Sequence, residues 1–258
     1  MSRISVSNLI ILAMMLCLNA CNSAPQKPRE YAGGVESNQQ ERARIHTELG
    51  AGYYAQNQLS IALEEFKEAI TIDPSYAYAY NGLGLVYGAL KEDAKADASF
   101  KKSIQLEPGN SESHNNYGSF LCSRNRIDES IRQFMDAVSN PLYTTPGMAY
   151  MNAGFCSLRK NDEKNAEIYL QKAIAAQPIL SQAAYQLALI QFNRGQVGLA
   201  SNTLQDSLTN NPSPEILWLG IRIARVSGDQ NAEASYALLL RKKYPNSEQS
   251  KALLSGQQ

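Results

Sequence analysis

Small, aromatic and polar positions along this chain recur with a period of 34 residues. Gly50, Gly84 and Gly118 stand 34 apart, and Leu49-Gly50-x-x-Tyr53 returns as Leu83-Gly84-x-x-Tyr87, then more weakly as Tyr117-Gly118-x-x-Leu121. Behind each glycine comes the same set: Ala62 and Ala96; Phe66, Phe100 and Phe134; Pro74 and Pro108. The polar clusters Gln56-Asn57-Gln58, Lys91-Glu92-Asp93 and Arg124-Asn125-Arg126 fall between them and read as turns. Each period therefore predicts two helices joined by a polar turn and closed by a proline, which cannot continue a helix.

With phase 1 set at Ala43, the first three repeats start at Ala43, Ala77 and Ser111. Gly154 then lies 36 residues after Gly118, so two extra residues fall in Asn140-Pro141-Leu142-Tyr143-Thr144-Thr145-Pro146. Two prolines make that stretch a longer connection. The period resumes, and repeats four, five and six start at Gly147, Ser181 and Glu215. Glycine or alanine at phase 8 (Gly50, Gly84, Gly118, Gly154, Ala188) lets the paired helices approach. Phase 20 supplies alanine, including Ala166, Ala200 and Ala234. Phase 24 supplies the core filler: Phe66, Phe100, Phe134, Leu170, Leu204 and Leu238. Repeat six is the weakest, with Arg222 in the glycine slot.

This set of phases resembles the tetratricopeptide (TPR) repeat. The resemblance implies an all-α fold, a right-handed superhelical solenoid of six TPR helix-turn-helix repeats spanning about residues 39–246, with 247–258 as a C-terminal cap or tail. The competing reading is an ordinary helical bundle.

The N-terminus carries a different pattern. One positive charge in Met1-Ser2-Arg3 precedes an apolar run of ten residues, Leu9 to Leu18. Ten is too short to span a bilayer and fits the core of a signal peptide over residues 1–20. Leu18-Asn19-Ala20-Cys21 resembles the lipobox of bacterial lipoproteins, although Asn19 is unusual there. The resemblance makes Cys21 the lipidated first residue of the mature chain, its diacylglycerol and N-acyl (palmitate-type) chains giving an anchor but no span. Asn22 after the cysteine suggests the outer membrane by the enteric sorting rule, with the body facing the periplasm. A plain secretory signal cleaved after Ala20 is the alternative. Residues 21–38, rich in Ser, Pro, Gln and Gly, read as a flexible tether, and Ser37-x-x-Gln40 as a capping box opening the first helix.

Of the four cysteines, Cys122 and Cys156 remain in the repeats, both on first helices. In a TPR stack those helices lie side by side, so the two thiols could meet as a disulfide bridging the irregular junction; two unrelated buried thiols are the other reading. The two histidines, His46 and His114, share phase 4 with Tyr80, Tyr150 and Trp218 and read as packing residues. With no further histidine, no phosphate-cradling loop and no Ser/Asp partner motif, the chain offers no catalytic candidate, cofactor or metal site. Twenty-four acidic and twenty-four basic residues leave no net field to draw nucleic acid.

In TPR folds, phases 2, 5, 9 and 12 of the first helices face the concave surface. They are mixed polar and aromatic in repeats one to three, where Tyr54, Tyr78, Asn81, Leu85 and Asn115 are the candidate contacts. From repeat four they turn apolar: Met148, Met151, Phe155 and Leu158, then Gln182, Tyr185, Leu189 and Phe192, then Ile216, Leu219, Ile223 and Val226. That second half reads either as a groove for an apolar partner segment or as core.

A lipobox, a tether, six TPRs and a cysteine pair across repeats three and four together resemble the type IV pilus biogenesis and stability lipoproteins, the PilW/PilF family. The resemblance implies a pilotin: a monomeric outer-membrane lipoprotein that binds type IV pilus secretin subunits, promotes their localisation and multimerisation, and supports twitching motility. It implies no enzyme activity, no small-molecule substrate and no nucleic acid. A TPR lipoprotein scaffold for another envelope machine, such as β-barrel assembly or cell-wall synthase activation, is the alternative.

Overall fold

The computed structural model describes residues 33–256; the expected signal peptide, Cys21 and the tether up to residue 32 lie outside the described residues. The chain divides into two units, Met1–Gln39 and Gln40–Gln258, and the repeats belong to the second. Thirteen helices and no strand are present among the described residues. Six hairpins follow one another: α1 (Gly33–Ala55) with α2 (Leu59–Ile72), α3 (Ala77–Ala89) with α4 (Asp93–Leu106), and α5 (Ser111–Ser123) with α6 (Ile127–Ser139). After the longer connection come α7 (Pro146–Arg159) with α8 (Glu163–Ala176), α9 (Ser181–Asn193) with α10 (Val197–Thr209), and α11 (Pro214–Ser227) with α12 (Gln230–Lys243). A short α13 (Glu248–Leu254) closes the array. Each second helix packs on its own first helix and on the next one, as a helical solenoid requires.

The turns inside the hairpins repeat one geometry. Asn57, Lys91, Asn125, Asn161 and Gly195 sit at positive φ, the left-handed residue that ends each first helix. The following amide then reaches back to the helix: Gln58 N–H donates to the Tyr53 carbonyl at 2.9 Å, and Glu92, Arg126 and Gln196 repeat the bond at 2.9 Å. Four of these five residues carry a side chain in a region that favours glycine, and three of those four are asparagine, which tolerates it best.

Phase 8 and phase 24 meet as the periodicity predicts. A Cβ on Gly84 would lie 2.7 Å from the Phe100 ring, and one on Gly118 2.7 Å from Phe134. Phe66, Phe100, Phe134, Leu170 and Leu204 are all buried. Phase 27, which the motif search passed over, is as closed: Ala69, Ser103, Ala137, Ala173 and Ser207 are buried small residues in successive second helices.

Two expectations are corrected. Helix α1 begins at Gly33, so residues 33–38 of the expected tether are helical and Ser37-x-x-Gln40 lies inside the helix rather than capping it. No proline or glycine interrupts 35–49, and Arg44 pairs with both Glu41 and Glu48 along the helix surface. In repeat six the turn comes one residue early: Gly228 takes the left-handed position, 33 residues after Gly195. One residue rotates a helix by about 100°. Leu238, expected in the core, is consequently 62% exposed, and Leu240 is buried in its stead.

Neighbouring repeats are also tied at the helix ends. The Arg124 guanidinium donates to the Gly88 carbonyl at 2.8 Å, and Arg159 donates to the Cys122 carbonyl at 2.7 Å. Each arginine thus satisfies a terminal carbonyl of the preceding first helix.

Candidate protein-binding cleft

The first helices of repeats two, three and four carry a run of asparagines on one face. Asn116 Nδ2 donates to Asn81 Oδ1 at 3.4 Å, and Asn152 Nδ2 donates to Asn115 Oδ1 at 3.1 Å. Amides therefore link α3 to α5 and α5 to α7. Among the described residues, these bonds leave the Nδ2 of Asn115 and the Oδ1 of Asn116 without a partner. One is a donor and the other an acceptor, the pair that a peptide unit presents.

Beside them opens a cleft of about 430 Å³. Its walls come from Tyr78 at the start of α3, from Gly109 and Asn110 just before α5 and Ser111, Glu112, Asn115 and Asn116 on it, from Met148 on α7, and from Asn140 and residues 142–145 of the connection. The connection is held in place by its own turn and by its predecessor: the Leu142 amide donates to Asn140 Oδ1 at 3.0 Å, while Asn140 Nδ2 donates to the Gly109 carbonyl at 3.0 Å. The two-residue insertion thus folds over the helix starts as a rim, and Leu142 on it is 83% exposed. A smaller hollow of about 210 Å³ lies along the same helices, lined by Tyr54, Leu85 and Asn116 among others.

The cleft is acidic in character. Glu112 lines it and makes no ion pair among the described residues. Burial pushes the Tyr78 phenol up from its ordinary value, and the charges of Glu107 and Glu112 push the same way. Tyr143 is likewise raised, mostly by burial and further by Glu112. Glu112 sits in the first turn of α5, at the positive end of the helix dipole.

A separate network braces repeat two against repeat three outside the cleft. Asp97 accepts from the Tyr117 hydroxyl at 2.7 Å and from Arg126 at 2.6 Å, and pairs with Lys101. Burial alone would raise the Asp97 carboxyl, but the bonds from Lys101, Tyr117 and Arg126 overcome it and hold it near 2.

The candidate residues divide. Tyr78, Asn115 and Met148 meet at the cleft, while Tyr54 and Leu85 share the smaller hollow. Asn81 and Met151 do not reach the surface: they are 5% and 9% exposed. Asn81 is closed under the asparagine ladder, and Met151 belongs to a core cluster against which Phe155 packs. In repeat six Ile216, Leu219 and Ile223 are core, at 3%, 1% and 4% exposure, packed with residues of α9 and of α13. The apolar phases of repeat six are therefore mostly interior, whereas Met148 is 37% exposed and Phe155, Tyr185, Leu189 and Phe192 are only partly buried. Sequence reasoning missed Asn116, Asn140 and Tyr143; the doubled Asn115-Asn116 was a signal available for the first.

Both histidines are engaged in packing positions. His114 Nε2 bonds the Pro108 carbonyl at 2.9 Å and its Nδ1 meets Gln133 at 2.8 Å, while His46 Nδ1 meets Glu65 at 2.7 Å. Cys122 and Cys156 are joined Sγ to Sγ, their Cα atoms 5.9 Å apart, so the bridge stitches α5 to α7 across the junction. Cys156 is fully buried and its sulfur lies 3.4 Å from Ser130 Oγ.

The hairpin array with a polar cleft on its first helices defines a TPR protein, a class that works through protein–protein contact. Tetratricopeptide models match residues 50–91, 99–137, and 77–110 together with 149–179. The type IV pilus assembly protein PilF of Pseudomonas aeruginosa is 27% identical over 240 residues, covering 92% of this chain and 94% of that protein. The structure determined for the functional characterisation of Pseudomonas aeruginosa PilF superposes with a TM-score of 0.73, at 26% identity over 85% of this chain and all of that one. The crystal structure of PilW, a widely conserved type IV pilus biogenesis factor, superposes with a TM-score of 0.67 at 32% identity over 82% of this chain and 98% of that one. The chain belongs to the family of type IV pilus biogenesis TPR proteins that includes PilF and PilW.

Proposed function

We propose that this protein is an outer-membrane lipoprotein, anchored through Cys21, that binds type IV pilus secretin subunits and promotes their localisation and multimerisation. The observation that carries this reading is likeness to PilF along 92% of the chain. The lipobox-like Leu18-Asn19-Ala20-Cys21 supports the anchor. The cleft supports the contact: free amide groups beside tyrosines suit an extended partner segment. Nothing in this activity requires chemistry. Tethering the binding surface to the membrane where the pore assembles raises the local concentration of subunits.

The test is deletion of the gene, with secretin multimers followed by gel and twitching followed on agar. Loss of both is expected, with monomeric secretin displaced from the outer membrane. Intact multimers in the deletion strain overturn the reading. Cys21→Ala should leave the chain folded but shift it out of the outer-membrane fraction, and unchanged fractionation overturns the anchor.

A further inference from the structure

Three features of the cleft remain unused by the fold. Among the described residues the Glu112 carboxylate has no cationic partner and the Asn115 Nδ2 and Asn116 Oδ1 have no hydrogen-bond partner, while Leu142 stands 83% exposed on the rim. At about 430 Å³ the space lies within the range of sites that enclose a ligand.

The charges decide which ligand. Among the described residues, Glu112 is the one carrier of formal charge on the walls, and no lysine or arginine lines the cleft. An anionic ligand would meet that carboxylate with nothing to offset it. A cation would gain a counter-ion, and the rings of Tyr78 and Tyr143 give it aromatic faces nearby. The free donor and acceptor on Asn115 and Asn116 match one peptide unit of an extended chain, and Leu142 and Met148 offer apolar contact to the methylenes of a long side chain.

We propose that this cleft is a recognition subsite for a lysine or arginine side chain on an extended segment of the partner protein, with Glu112 as counter-ion and Asn115 and Asn116 holding the adjoining backbone. The inference rests on the reading of this face as the partner-binding surface. It assigns to the two-residue insertion between repeats three and four the task of building the rim.

The experiment is a positional heptapeptide library, N-acetylated and C-amidated so that only side chains carry charge, presented to the full-length chain and to Glu112→Gln and Glu112→Lys. Thermal melting checks that the variants fold. The wild type should select Lys or Arg at one position by about tenfold over Gln. Glu112→Gln should abolish that preference, and Glu112→Lys should replace it with Asp or Glu. Asn115→Ala with Asn116→Ala should weaken all peptides alike and leave the charge preference in place. Peptides that bind the wild type without charge preference, or with a preference that Glu112→Lys does not change, overturn the subsite while leaving the partner-binding face intact. Selection of Asp or Glu by the wild type overturns it also. No peptide binding, together with crosslinks from a photoreactive residue at Leu142 that never capture the secretin in cells, overturns both the subsite and the assignment of this face.

Discussion

In repeats two and three the inward phases carry Tyr78, Asn81, Glu112 and Asn115; in repeat six the same phases carry Ile216, Leu219 and Ile223. The first set surrounds an open cleft, apart from Asn81 under the ladder, and the second is 1–4% exposed. The inward phases lie on first helices of similar length in both regions, so the difference does not come from those helices themselves. It comes from what lies beyond. Repeat six is followed by the short α13, which packs against α11 and α12; apolar residues at ligand-facing phases then serve the cap. An apolar face in an end repeat therefore says more about closure than about a partner. The interior repeats, packed on both sides already, can leave polar groups free on the inner face.

The largest effect expected from this contrast concerns phase 24. Phe100→Ala should cost about 3–5 kcal/mol in urea unfolding, since the ring is fully buried against Gly84. Leu238→Ala, at the same nominal phase in repeat six, should stay within about 0.5 kcal/mol because that side chain is already 62% exposed. Comparable losses at the two sites would overturn the one-residue rotation of α12.

Next comes the bridge between the regions. Replacing Cys122 and Cys156 together by serine opens a loop whose ends are 34 residues apart and should lower stability by about 3–4 kcal/mol. In denaturant titrations with probes on each side, the two halves should then separate into distinct transitions. A single unshifted transition would show that the seam between α5 and α7 holds without the bond.

The smallest effect belongs to Asp97, which ties repeat two to repeat three and has no counterpart in repeat six. Its folded carboxyl sits near 2 against an ordinary value of 3.8. A depressed carboxylate contributes stability that is complete above the ordinary value and lost as the pH falls through the folded one. Wild-type protein should therefore lose about 1–2 kcal/mol between pH 4 and 2 that Asp97→Asn does not lose. Parallel acid profiles for the two proteins would remove Asp97 from the brace.

Much of this architecture was legible because helical hairpins must solve the same packing problem every 34 residues. Gly84 and Gly118 are where a Cβ would strike Phe100 and Phe134, so small residues and rings recur in step. The turn clusters were legible for a related reason: Asn57, Asn125 and Asn161 tolerate the left-handed backbone that ends a helix. The rotation of repeat six was written in Gly228-Asp229, where a glycine stands one place ahead of the turn. The burial of Ile216, Leu219 and Ile223 was not legible, because alternation of apolar residues does not say which neighbour covers them. Nor was the cleft. It depends on the connection at 140–146 folding back to bond Gly109 through Asn140, a contact between loops that no period encodes.

The disulfide has a mechanical consequence. Cys122 lies near the end of α5 and Glu112 near its start, about 15 Å away along the axis at 1.5 Å per residue. Cys156 and Met148 stand in a similar relation on α7. The bond therefore fixes the far end of the helix pair whose near end forms two walls of the cleft, and the Asn115–Asn152 amide bond ties the same pair closer to it. Between them, the covalent link and the amide hold the separation of those two walls.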